Sequence, residues 1–281
     1  MAHQLAIAVV HGMGSADQHY SVELKHRVTE SYVRGGKDRN EDELVWQEIY
    51  WGDLVQERHA HTLKAVNYKN DLAYPGLREL FVDYLGTSLA YRPQSGYPMY
   101  PALHARIKEQ LAKLATHRRI DPQQTPLVVL AHSFGSVILS NYIYDLQIEQ
   151  ARIGGLIKGL SAFEQFHTLA GFITFGSPMA VYADQPGDFN RAIRVKGAGL
   201  TEPLKEKVKW LNFYDKDDII AYPLKGINEA YSQAVSDDIE INVGSPATSW
   251  NPGCHNGYWE DPDFYRPVAQ YLGELRGAAG K

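Results

Sequence analysis

Cysteine is all but missing. Cys254 is the only one in 281 residues, which excludes an intrachain disulfide and any cysteine-rich zinc site. No uninterrupted apolar stretch reaches the length needed to span a bilayer. The N-terminus, Met1-Ala2-His3-Gln4-Leu5, has no basic segment, and the apolar run Leu5 to Val10 is too short for a secretory core. The expectation is a soluble, cytoplasmic protein with no integral membrane segment. An excess of either charge is missing too: 28 Lys and Arg stand against 33 Asp and Glu, a formal net charge of −5. The two signs are mixed along the chain, which gives no electrostatic case for nucleic acid or an anionic membrane as partner. Internal repeats and low-complexity segments are absent as well.

What remains is the balance of a globular protein, 44% hydrophobic and 22% charged. A chain of this length buries most of its unfolded surface, so a core needs neither metal nor disulfide. One domain over 1–281 is the expectation. Six runs read as strands: Leu5 to Val10, Leu44 to Trp51, Leu127 to His132, Gly171 to Phe175, Val208 to Tyr214 and Asp238 to Val243. The first and third are continuous apolar runs, as in strands covered on both faces. Between the first two, Gln18 to Arg34 spaces Leu24, Val28 and Tyr32 four apart and ends at Gly35-Gly36, an amphipathic helix with a glycine stop. At the far end Asp261-Pro262 opens a helix with the stripe Phe264, Val268, Leu272 and Leu275. Alternation of this kind predicts an α/β fold, a mostly parallel sheet with helices on both faces.

Two regions break the alternation. Residues 53–101, with Tyr68, Tyr74, Tyr84, Tyr91, Tyr97 and Tyr100, read as a partly helical excursion, either packed on the sheet edge or forming a cap over a pocket. Ser177 to Glu206, with several Gly and Pro, reads as a long loop.

The chemistry concentrates at "LVVLAHSFGSVILS", Leu127 to Ser140. A strand runs into a tight turn and straight on into a helix, and small residues flank Ser133: Ala131 two before it, Gly135 two after. Such a turn holds its apex residue in a strained conformation with the side chain clear of the sheet, at the positive end of the next helix. An ordinary helix-capping serine would fit the same letters. A nucleophilic serine needs more: a base, an acid to orient it, and donors for an oxyanion. "VVHGMG", Val9 to Gly14, ends the first strand in a glycine turn, so backbone N–H groups of Met13 and of Phe134 are the candidate oxyanion donors. A dinucleotide-binding reading of that turn fails because Asp17 stands where the third small residue belongs, and no Gly-Lys-Ser/Thr follows for a P-loop.

Later loops supply the rest. Asp215, Asp217 and Asp218 follow the strand at Val208, and His255 precedes the final helix. The order Ser, Asp, His is that of α/β-hydrolases rather than of the other serine-triad folds. His11 and His132 read as residues that hold the turns together. His59 and His61 are a poor metal pair, Trp51-Gly52-Asp53 a structural turn, and Cys254 a buried thiol.

With "HGMG", "AHSFG", "FGSP" (Phe175 to Pro178), "DKDDIIAYPL" and "HNGYW" in order along nearly the whole chain, the sequence resembles an α/β-hydrolase of the lipase/esterase sort with a shortened N-terminus. Ala131 departs from the glycine usual at that place. The resemblance implies a serine hydrolase with Ser133 as nucleophile and His255 as base. Lipase-like chains often place the acid just before a small apolar pair, which matches Asp218-Ile219-Ile220; Asp218 is preferred, with Asp215 and Asp217 left open. The expected reaction is hydrolysis of a carboxylic ester, small or lipid-like, through an acyl-enzyme and without metal or organic cofactor. Acyl transfer by the same residues and a catalytically silent binding protein of the same fold are the alternatives.

Overall fold

The computed structural model describes residues 4–13, 19–55, 61, 64–65, 75–93, 96–183, 191–244, 249 and 252–280, with the side chains of 75–81, 83, 252 and 253 excepted. Six described strands form one sheet: β1 (Leu5–Val10), β2 (Leu44–Ile49), β3 (Leu127–His132), β4 (Leu169–Phe175), β5 (Lys209–Tyr214) and β6 (Asp237–Glu240). Their order is β2-β1-β3-β4-β5-β6, and every neighbouring pair is parallel. The fold is α/β.

Parallel neighbours need crossovers, and the helices supply them. The described helices are α1 (Val22–Arg34), α2 (Pro75–Ala90), α3 (Met99–Ala115), α4 (Phe134–Ile153), the single turns α5 (Met179–Tyr182) and α6 (Glu202–Lys205), α7 (Glu229–Ala234) and α8 (Pro262–Ala279). Successive strand residues point to opposite faces, and each face has its own core. Ala6, Ala8 and Val10 of β1 with Val129 and Ala131 of β3 meet Leu103, Ile107 and Leu111 of α3 and Val137 and Ile138 of α4. Leu5, Ile7 and Val9 with Val128 and Leu130 meet Leu24, Val28 and Tyr32 of α1 and Phe264, Val268, Leu272 and Leu275 of α8. This is why β1 and β3 are apolar throughout: neither face meets water.

The strand order positions the site. From β1 the chain moves one way to β2; from β3 it marches the other way to β6. α1 leaves β1 on one face and α4 leaves β3 on the other. A crevice therefore opens at the C-terminal ends of β1 and β3, the reversal point where α/β sheets bind ligands. The register pairs Val10 with Ala131, so the residues two further on, Gly12 and Ser133, come level across that crevice.

β2 and β6 end short of their sequence runs. β2 stops at Ile49 because the Trp51 N–H donates to His11 Nε2 (3.0 Å) instead of to a ladder carbonyl. β6 stops at Glu240, and the Val243 N–H goes to the Asp215 carboxylate (2.7 Å). The stretch Ser177 to Glu206 contains the single turns α5 and α6 rather than loop alone. α3 adds an element to the sequence pattern, and its stripe Leu103, Ile107, Leu111 and Leu114 is all buried. The final helix begins where Asp261 caps it, its carboxylate accepting from the Asp263 N–H (2.9 Å). Among the described residues, no helix is long and apolar enough to cross a membrane.

Candidate active site

Ser133 joins β3 to α4 with φ 51° and ψ −132°. A positive φ is rare outside glycine and costs about 1–3 kcal/mol, so the surroundings must over-determine it. They do. The Ser133 N–H donates to Phe175 O at 2.9 Å, one step beyond the β3–β4 ladder. Its carbonyl accepts from the Ser136 N–H (3.0 Å) and from Ser136 Oγ (2.6 Å). Ser136 Oγ in turn meets Ser177 Oγ at 2.7 Å, which ties the elbow to the turn after β4.

The glycines around it are required by contact. A Cβ on Gly12 would lie 2.4 Å from Ser133 Cβ, and one on Gly135 would lie 2.4 Å from the His11 carbonyl oxygen. Strand, turn and helix approach so closely that only hydrogen fits at these two positions. Ala131, fully buried inside β3, is small enough for the same approach.

His255 brings its Nε2 to 2.9 Å from Ser133 Oγ and its Nδ1 to 2.8 Å from Asp218 Oδ2. All three side chains are buried or nearly so. The ionised carboxylate only accepts, so Nδ1 carries the proton and Nε2 presents its lone pair to the serine hydroxyl. Of the three aspartates after β5, the structure brings Asp218 to the histidine. Asp218 Oδ1 accepts from the Ile220 N–H (3.0 Å). Asp215 is fully buried and otherwise engaged: its oxygens accept from the Asp217 N–H (2.8 Å) and the Val243 N–H (2.7 Å). It clamps the loop after β5 to the segment after β6. Asp217 is half-buried and contributes its N–H to that clamp.

Two buried histidines hold the surrounding turns, and burial keeps both neutral. His11 Nδ1–H donates to Gly12 O (2.7 Å), Nε2 accepts from the Trp51 N–H, and the Trp51 indole N–H donates to the His11 carbonyl (3.0 Å). The two rings stack at 4.8 Å. Burial lowers the His11 pKa from 6.5 to about 4. His132 donates from Nε2 to the His255 carbonyl (3.0 Å); burial, then the charge of His255, pushes it well below the usual histidine range. The turn after β1 and the histidine segment are thus fixed from both sides of Ser133. Among the described residues, the backbone N–H groups of Met13 and Phe134 have no acceptor. Gly14 and Asp17 lie outside the described residues.

Cys254 is buried beside His255, and desolvation first, then the Asp218 and Asp215 charges, pushes its thiol up to about 12. It stays protonated and unreactive. Asp53 makes a two-pronged pair with Arg106 (2.8 and 2.9 Å). His61 is exposed, while His59, Tyr68 and Tyr74 lie outside the described residues.

Sequence reasoning left several neighbours without a role. Tyr258 stands one 3₁₀ turn after His255, within "HNGYW", and donates its hydroxyl to Asp218 Oδ2 at 3.1 Å. Its three-residue spacing from the histidine was the available signal, since such residues eclipse on a 3₁₀ turn. Tyr84 of α2 hydrogen-bonds Tyr182 and lies within electrostatic reach of Tyr222 and Asp218. Tyr91 meets Phe134 edge-on at 5.6 Å, and Phe134 meets Tyr182 at 5.5 Å. Part of the tyrosine-rich excursion therefore lies against the flank of the Ser133 turn.

No protein-family model matches the chain, and no curated protein does. Among solved structures, one described under "LipS and LipT, two metagenome-derived lipolytic enzymes" is similar over 85% of this chain and 83% of that chain, with 12% identity and a TM-score of 0.33. A likeness that loose carries no argument about the site, and the chemistry rests on the geometry alone.

Proposed function

We propose that the protein is a serine hydrolase of α/β-hydrolase type that cleaves a carboxylic ester through an acyl-enzyme. The observation that carries this reading is the continuous relay from Ser133 Oγ to His255 to Asp218, at 2.9 and 2.8 Å, with the serine on a strained elbow. In the proposed cycle Asp218 holds the His255 tautomer, and His255 takes the hydroxyl proton as Ser133 Oγ attacks the ester carbonyl. The Met13 and Phe134 N–H groups, which have no acceptor among the described residues, receive the developing oxyanion. His255 then delivers the proton to the leaving alcohol and activates water to release the acid. No step calls for a metal or organic cofactor. The single-domain reading belongs to the same proposal, with residues 53–101 as its cap. The tyrosines of 53–101 favour an apolar or partly apolar acyl group.

The test is covalent labelling by a fluorophosphonate, which reports an activated serine. The parent protein is expected to label, and Ser133→Ala to lose both label and hydrolysis of a short-chain ester, by at least about a thousandfold. An unlabelled parent, or an alanine variant that labels equally, sinks the reading.

A further inference from the structure

Tyr258 makes two hydrogen bonds that together leave its proton no choice. The Asp215 N–H, which can only donate, gives its hydrogen to the phenol oxygen at 2.8 Å. The phenol hydrogen must then go elsewhere, and the acceptor at hand is Asp218 Oδ2, 3.1 Å away. That is the same oxygen that accepts from His255 Nδ1. The carboxylate is thus held by three donors: Tyr258 and His255 on Oδ2, and the Ile220 N–H on Oδ1. Tyr258 is itself fixed. Its ring is fully buried, packed by Phe175 (6.1 Å), Phe264 (6.4 Å) and His132 (6.1 Å).

We propose that Tyr258 is a positioning residue for Asp218, its hydroxyl fixing the carboxylate's orientation and sharing the oxygen that His255 needs. The inference rests on the serine-hydrolase reading above. It has two consequences. The orientation of Oδ2 toward His255 is set by a side chain that touches neither the serine nor the substrate. And the pull of the carboxylate on a protonated His255 is divided between two donors, because an oxygen already accepting from a phenol is a weaker acceptor for the imidazolium.

The titratable groups that face this pair are few. Asp215 and Asp217 come from the same loop, His132 from the elbow, Cys254 from the same 3₁₀ segment and Tyr84 from α2; Asp261, at the start of α8, acts on Asp215. Burial holds Tyr258, Tyr84 and Cys254 protonated and His132 neutral, so none of these four changes charge near neutral pH.

Tyr258→Phe is therefore expected to lower kcat/KM for a short-chain ester by about tenfold, the scale of one hydrogen bond to a charged group. The loss should fall on kcat rather than KM. The acid limb of the pH–rate profile should move to higher pH, since the undivided carboxylate stabilises the protonated, inactive base. Replacement of Tyr258 by 3-fluorotyrosine keeps the ring and the bond to the Asp215 N–H but makes the hydroxyl a stronger donor. The acid limb should then move the opposite way, to lower pH, which keeps the idea testable if the phenylalanine variant folds poorly. An unmoved limb in both variants, or a phenylalanine variant whose loss matches only its unfolded fraction by circular dichroism, overturns the proposal. Fluorophosphonate labelling of the parent separates the two failures. A labelled parent with unmoved limbs defeats the role of Tyr258 alone, and an unlabelled parent defeats the hydrolase reading with it.

Discussion

The elbow at Ser133 and the loop Asp215 to Ile220 approach His255 from opposite sides and are built on different principles. The elbow is made by exclusion. A positive φ and two positions where a Cβ would lie 2.4 Å from a neighbour leave the chain one path. The acid loop has no positive φ among its residues. It is made by pairing: the two Asp215 oxygens and the two Asp218 oxygens accept from Asp217, Val243, Ile220, Tyr258 and His255. Shape places the serine, and satisfied hydrogen bonds place the acid. The first needs small residues where the turns after β1 and β3 meet, Gly12 against Ser133 and Gly135 against the His11 carbonyl. The second needs partners up to 40 residues away.

The sharpest way to break that comparison is to exchange the two aspartates' fates. Asp218→Asn is expected to cut ester hydrolysis per folded molecule by roughly 10³–10⁴-fold, because the amide disturbs the His255 tautomer. Asp215→Asn should leave the rate per folded molecule unchanged and act on stability alone. Its amide nitrogen would face a buried N–H, costing about 1–3 kcal/mol of stability. The opposite pattern in rate and unfolding measurements would move the acid to Asp215.

The steric half is tested by a single methyl group. Gly135→Ala should lose about 1–3 kcal/mol in urea unfolding, since its Cβ falls on the His11 carbonyl. Gly155→Ala, with nothing within 4 Å of the new Cβ, should be close to neutral. Equal effects at the two sites would show that the elbow has slack.

A further expected effect is in pH. Folded His11 is lowered to about 4, against 6.5 when unfolded, and burial lowers folded His104 to about 3. Below pH 6.5 the unfolded chain binds protons that these folded histidines refuse. Stability present at pH 7 is therefore lost progressively as pH falls toward 4 and then 3. Chemical denaturation at pH 7 and pH 4.5 should show the loss, and His11→Gln should flatten it. An unchanged slope in that variant would show that His11 does not carry it.

Much of this architecture was legible in advance. The apolar runs of β1 and β3, the stripe of α1 and the Asp261-Pro262 start of α8 follow from periodicity and capping, which are properties of neighbours in sequence. So does the strand–turn–helix around Ser133. The ends of β2 and β6 were not legible, because His11 and Asp215 capture the next backbone donors from across the fold.

By itself, then, the sequence determined the alternation of strand and helix, the tight turn that carries Ser133, and the chain order that puts a histidine after the last strand. Only the tertiary structure decided which of three aspartates meets that histidine, and that a tyrosine hydroxyl donates to the same oxygen. The physical reason is the range of the constraint. The strand–turn–helix around Ser133 is written in adjacent residues, while the contacts that crowd it come from the turn after β1. A buried carboxylate takes whichever donors the whole fold leaves beside it, and those donors come from the loops after β5 and β6 and from the turn before α8.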